Sequence, residues 1–139
     1  MLLIHHRICT FQLRTVVVLL FTAAFAVDAT AQPAADRYPA AAVRFLDNEL
    51  PQMEAAVTAR DRDYFEQAMG RTIDFSDTWG FKTRANPALA RHAMCTEAIS
   101  DFAIVGLCRI APSLDGCEPG LAAKFDSNLR RCRELAAGR

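Results

Sequence analysis

Lysine is nearly missing from this chain of 139 residues: Lys82 and Lys124 stand against 14 arginines, and the 16 basic residues balance 16 acidic ones. No basic block stands out, so the electrostatic footprint expected of a nucleic-acid binder is absent. There is no acidic tail. The short motifs of common catalysis are missing too: no Gly-x-Ser-x-Gly, no His-Glu-x-x-His, no P-loop and no dinucleotide fingerprint. Cys-x-x-Cys does not occur, and without Cys-x-x-Cys-His covalent haem attachment has no anchor. No stretch alternates apolar and polar residues for long, so strands have no signal. Internal repeats and low-complexity tracts are not evident. The longest apolar run, Thr15 to Val27, has 13 residues before Asp28 cuts it short; a spanning helix needs ~20.

What is present begins with that run. MLLIHHRICTFQLR carries Arg7 and Arg14 and no acid, the apolar run follows, and Ala29 and Ala31 flank Thr30. A basic start, a short apolar stretch and an A-x-A end define a secretory signal peptide over residues 1–31, with cleavage expected after Ala31. Cys9 precedes the apolar run, so it leaves with the leader and cannot carry a lipid. The expected mature chain is residues 32–139, a single domain with 12 Arg and 2 Lys against 15 acids. A periplasmic or secreted location follows, with no stable membrane span after cleavage. The arginine preference and 25 alanines point to a GC-rich bacterial genome.

The mature chain reads as all-α, a small bundle of four or five helices. Pro39 suits a first helical turn, and Val43, Leu46 and Leu50 give that helix an apolar face. Pro51 predicts a kink or break, with Met53 and Val57 continuing beyond it. Asp61 is a cap for the next helix, where Tyr64, Phe65, Ala68, Met69 and Ile73 follow at spacings of three and four. Gly80 is a stop after Trp79. Asn86-Pro87 opens another helix, whose stripe runs Leu89, His92, Cys95 or Thr96, Ile99, Phe102, Ala103, Gly106 and Ile110 up to Pro112. The last helix begins near Gly120, with Leu121, Phe125, Leu129, Cys132 and Leu135 on one face.

Cys95, Cys108, Cys117 and Cys132 make an even set in a small exported domain, which reads as a disulfide framework. Cys95 lies 15 residues before Ile110 and Cys132 lies 12 after Gly120. If the two helices form an antiparallel hairpin, these cysteines sit at similar heights, at about 1.5 Å of rise per residue. Cys108 and Cys117 flank the turn. The nested pairing Cys95–Cys132 and Cys108–Cys117 therefore staples both ends of a C-terminal α-hairpin. The crossed pairings would join sulfurs at opposite ends of helices about 15–20 Å long, and the sequential pairings would span 13 and 15 residues along single helices, again too far. The scheme requires an unbroken helix at Gly106.

Sharper readings compete with this one. His92 and Cys95 share a helical face and, with further cysteines, could form a Cys₃His zinc site or a Cys–His nucleophile. Oxidation in an exported protein leaves no thiol for either, so neither a metal, a cofactor nor a catalytic residue is expected. Asp74 and Asp77 are a carboxylate pair, a weak basis for a small hydrolase. The stretch Ile73 to Pro87 concentrates Phe75, Trp79 and Phe81. Together with Asp77, Lys82 and Arg84 these rings are a candidate partner-binding set; the competing expectation, favoured for Trp79, is that they close the core.

Size, export, stapling and missing catalytic motifs favour a non-catalytic protein-binding module of the bacterial envelope, of inhibitor, immunity or accessory-factor type. Its expected partner is another envelope or secreted protein. The alternatives are a small-ligand carrier with a cavity between helices and, less favoured, the hydrolase.

Overall fold

The chain divides into two units, Met1–Ala31 and Gln32–Arg139. The computed structural model describes residues 33–82, 86–113 and 115–138, all in the second unit. The leader reading of residues 1–31 lies outside the described residues. Within them, four α-helices account for the architecture, with no strand: α1 (Tyr38–Ala59), α2 (Asp63–Trp79), α3 (Ala93–Ile110) and α4 (Leu121–Ala136). Short 3-10 turns precede α1 (Ala35–Arg37) and α3 (Pro87–His92). No helix among the described residues is long and apolar enough to cross a membrane.

Helix α1 carries Pro39 in its first turn as anticipated, but it does not break at Pro51, which lies inside it. Proline there removes one amide donor and strands the carbonyl of Asp47. Both residues are exposed, so the interruption falls on the solvent side of the helix, and the burial of Leu46, Met53 and Ala56 carries the helix through. The helix ends on Arg60 in the left-handed conformation (φ 53°), a position more often taken by glycine. Asp61 then turns its carboxylate onto the next helix, Oδ1 accepting from the amides of Asp63 (3.0 Å) and Tyr64 (3.3 Å). Gly80 ends α2 with φ 70°, and its amide donates to the Ser76 carbonyl at 2.7 Å.

The helix expected to start at Asn86 begins as a 3-10 turn and becomes α-helical at Ala93. The cap is still made, Asn86 Oδ1 accepting from Ala88 N. Helix α3 then runs unbroken through Gly106 to Ile110. That continuity allows the nested staples: Cys95 is bonded to Cys132 and Cys108 to Cys117, with Cα separations of 4.9 and 5.5 Å. The start of α3 is therefore beside the end of α4, and the pair is an antiparallel hairpin. Helix α1 packs on both members of the hairpin, and α2 packs on α1 and α3. Tyr38, Leu46, Phe65, Ile99, Phe102, Cys95 and Cys132 are fully enclosed at the centre.

The buried face of α2 is Phe65, Ala68, Thr72, Ser76 and Trp79, not the stripe through Met69 and Ile73. Those two are exposed by 42% and 53%. The shift is about one residue around the helix. Ala68 and Ser76 let α2 approach its neighbours closely, and the Thr72 hydroxyl is satisfied inside the helix by donating to the Ala68 carbonyl. In α4, Asn128 joins the buried face, while Leu135, placed on it by periodicity, is 37% exposed.

Candidate functional site

The aromatic stretch after Ile73 is built inward. Trp79 is 6% exposed and lies 5.1 Å from the Tyr38 ring, centre to centre. Phe75 sits 4.9 Å from Phe45, and Phe81 packs edge-on to Tyr38 at 6.0 Å. Gly80 makes this possible by reversing the chain directly behind Trp79. Asn86 then ties the loop down: its amide donates to the Gly80 carbonyl, and its Nδ2 to that of Trp79, each at 3.1 Å. Tyr38 is the hub. Its hydroxyl pairs with Thr96 Oγ1 at 3.0 Å, and burial, only partly opposed by that bond, pushes its pKa up to about 12.

Three of the six candidate partner-binding residues, Phe75, Trp79 and Phe81, therefore belong to the hydrophobic core or pack against it. Asp77 and Lys82 are exposed. Arg84 lies outside the described residues. Asp74 and Asp77 are both on the solvent side of α2, and neither lines any of the three clefts described below.

All four cysteines among the described residues are consumed in disulfides, so none of them offers His92 a thiol to bind a metal with or to activate. Among the described residues no three His, Cys, Asp or Glu side chains are placed to hold an ion. His92 ends the 3-10 turn, where its Nε2 accepts from Arg91 Nε at 3.2 Å. Its buried Nδ1 has no hydrogen-bond partner. Burial and the Arg91 charge hold its pKa below the usual value, against the pull of Asp36.

A polar cluster absent from the sequence reading joins α1 to α2. Glu49 is buried, and Arg71 grips it with two bonds, Nε to Oε1 at 2.6 Å and an Nη to Oε2 at 2.7 Å. The Tyr64 hydroxyl adds a third, to Oε2 at 2.9 Å. Burial raises the carboxyl pKa, but the bonds from Arg71 and Tyr64 and the Arg71 charge outweigh it, so Glu49 stays ionised below the usual range. Every oxygen of this carboxylate is already taken. The cluster works as a clamp between helices.

Three clefts are described. One of about 410 Å³, mostly apolar, is lined by Phe81, Asn86, Pro87, Leu89, Ala90, Ala93, Thr96 and Glu97. A second, about 230 Å³, lies over the Cys108–Cys117 staple. A third runs along the outer side of α4 past Arg130 and Arg133. All three are open to solvent. The outer side of α2 is different in kind. It is a ridge with Met69 and Ile73 one turn apart, and the sequence pattern had placed both in the core. No family model, no curated protein and no solved structure matches the chain.

Proposed function

We propose that the mature chain is an exported, non-catalytic protein-binding module of a bacterial envelope, of inhibitor, immunity or accessory-factor type, acting in the periplasm or outside the cell. The observation that carries this reading is the outer face of α2. Single exposed apolar residues are ordinary on protein surfaces, but two large ones a helical turn apart form a contiguous knob. The scaffold beneath it is held by two disulfides and by the Glu49 clamp, so the knob is presented with little conformational freedom to lose on binding. The disulfides also accord with an oxidising compartment.

The test is capture of a partner. The protein, expressed with its own leader and purified in oxidised form, is immobilised and exposed to envelope extract from its source. One polypeptide retained specifically, displaced by free protein and lost with Ile73→Asp, supports the reading. Specific retention of nothing refutes it.

A second reading, the small-ligand carrier, draws on the apolar cleft beside Phe81. Its volume falls within the range of ligand pockets, roughly 300–1,000 Å³. Native mass spectrometry of protein purified from its source would reveal a bound small molecule if this is the cleft's purpose. The hydrolase reading draws no support from two carboxylates that share no cleft.

A further inference from the structure

The α2 face can be read further, resting on the binding-module reading above. Two parallel rows run along it. One is Met69, Ile73 and Asp77; the other is Glu66, Gly70 and Asp74. Members of each row are one turn apart and so adjoin one another. All six are exposed.

Gly70 is the informative position. A Cβ added there would meet nothing within 4 Å. Its φ is not in the left-handed region, so neither packing nor backbone conformation requires glycine. Mid-helix glycine weakens a helix, so the fold alone disfavours it. Met69, Gly70 and Ile73 are thus three neighbouring positions at odds with what the isolated domain needs, and such local conflicts collect at functional surfaces. Together they form a notch, floored by bare backbone at Gly70 and walled on one side by two apolar side chains. The gap that Gly70 leaves in its own i±4 row, beside the ridge of Met69 and Ile73, has room for a side chain from the ridge of another helix.

The charge around it selects the occupant. From Asp61 to Asp77 there are five acids and two arginines. Of the arginines, Arg71 is turned away onto Glu49. Glu66 and Asp74 bracket Gly70, eight residues apart and hence about 12 Å along the axis. A second copy of the same face would bring acid against acid. We propose that the notch docks a basic amphipathic helix of another polypeptide, with Lys or Arg side chains about two turns apart meeting Glu66 and Asp74, and apolar side chains between them lying against Met69 and Ile73.

The test uses two synthetic helical peptides of about four turns that share one apolar stripe, flanked by lysines in one and glutamates in the other. Each is titrated into the isotope-labelled, oxidised protein and followed by amide chemical shifts. The lysine peptide should shift amides of α2 alone, bind at least ~10-fold tighter than the glutamate peptide, and weaken about 10-fold between about 0.05 and about 0.3 M salt. Gly70→Arg should abolish this binding without lowering the melting temperature, because the site is open. Glu66→Lys with Asp74→Lys should reverse the preference between peptides. Equal binding of both peptides, shifts centred on the cleft beside Phe81, or undiminished binding by Gly70→Arg would overturn the proposal. So would a concentration-dependent dimer that Gly70→Arg dissociates, which would make a second copy the occupant. Repeating the envelope capture with Gly70→Arg separates the two claims. A partner held equally by both proteins removes it from α2 and leaves the module reading intact, whereas a partner held by neither removes both.

Discussion

Replacing Gly106 with alanine tests the packing of three helices at once. Gly106 is buried in α3, and a Cβ there would lie 2.4 Å from Phe65 Cε1, 2.8 Å from Met53 Cγ and 2.9 Å from Met53 Sδ. Carbon atoms in contact prefer about 3.5–4.0 Å, so the Phe65 ring would have to retreat by roughly 1 Å. Met53 can change rotamer, since an unbranched thioether adapts easily. Phe65 cannot retreat so easily: it is fully buried and already packed edge-on against Tyr64. Overpacking of this kind costs about 1–3 kcal/mol, while alanine recovers about 1 kcal/mol of helix propensity. The rigid ring places the clash in the upper part of that range, so a net loss of about 1–2 kcal/mol is expected, and a melting temperature lower by roughly 5–15 °C in a domain of this size. Gly70→Ala is the control, because it gains the same propensity and meets nothing. Circular-dichroism melts of the oxidised proteins should therefore move in opposite directions. A Gly106→Ala protein as stable as the parent would refute the close approach of α1, α2 and α3, and a destabilised Gly70→Ala would refute the open surface at α2. In the background of Phe65→Leu, which makes room for the methyl, the Gly106→Ala loss should shrink measurably.

Other expected outcomes concern the core, the staples and pH. Trp79→Ala should destabilise by about 3–5 kcal/mol, since neighbours fill the space of a large ring only partly, and native Trp79 emission should be blue-shifted until unfolding; water-like emission would contradict its burial. Closing the longer loop, with a separation of 37 residues between Cys95 and Cys132, restrains the unfolded chain more than closing the nine-residue separation of Cys108 and Cys117. Replacing the first pair by alanines should therefore cost about 4 kcal/mol and the second about 2.5, and the reverse order by denaturant titration would refute the ranking. The depressed His92 pKa means that the folded state resists its protonation. That stability is present above the ordinary value of about 6.5 and is lost as pH falls below it towards the lower folded value. Denaturation midpoints at about pH 7.5 and 5 should show a drop that His92→Phe diminishes; an unchanged drop would assign the effect elsewhere.

The C-terminal half was the more legible because two independent constraints agreed there. Periodicity set the lengths of α3 and α4, and four cysteines at matching heights admitted one pairing without long gaps. Each constraint alone was weaker: the 3-10 turn at Pro87–His92 departs from the helix expected there, yet the register of the sulfurs survives because it depends only on residues after Ala93. At Pro51 the helix continues where a break was one of the two expected outcomes, because proline's effect on a helix depends on which way the ring faces. The pattern showed the proline but not that Asp47 and Pro51 would share the wet side. The Glu49–Arg71–Tyr64 clamp had no local signal at all, since its members are separated by 22 and 15 residues and become neighbours only when α2 folds back along α1.

The outer face of α2 illustrates a different failure. Apolar residues at three- and four-residue spacings define a stripe on α2, but two stripes overlap there, offset by one residue, and both contain Phe65 and Ala68. One continues through Met69 and Ile73, the other through Thr72, Ser76 and Trp79. Hydrophobicity alone favours the first. Packing chose the second, the face that brings Phe75 and Trp79 against Tyr38 and Phe45 of α1 at ring separations of 4.9 to 6.2 Å. The small residues at 68, 72 and 76 then bring the helix close enough for Phe65 to reach Gly106. The more hydrophobic stripe was left outside by geometry, next to a glycine the helix does not need. The fold thus leaves Met69 and Ile73 about half exposed, at 42% and 53%, where they add less to stability than the enclosed face does.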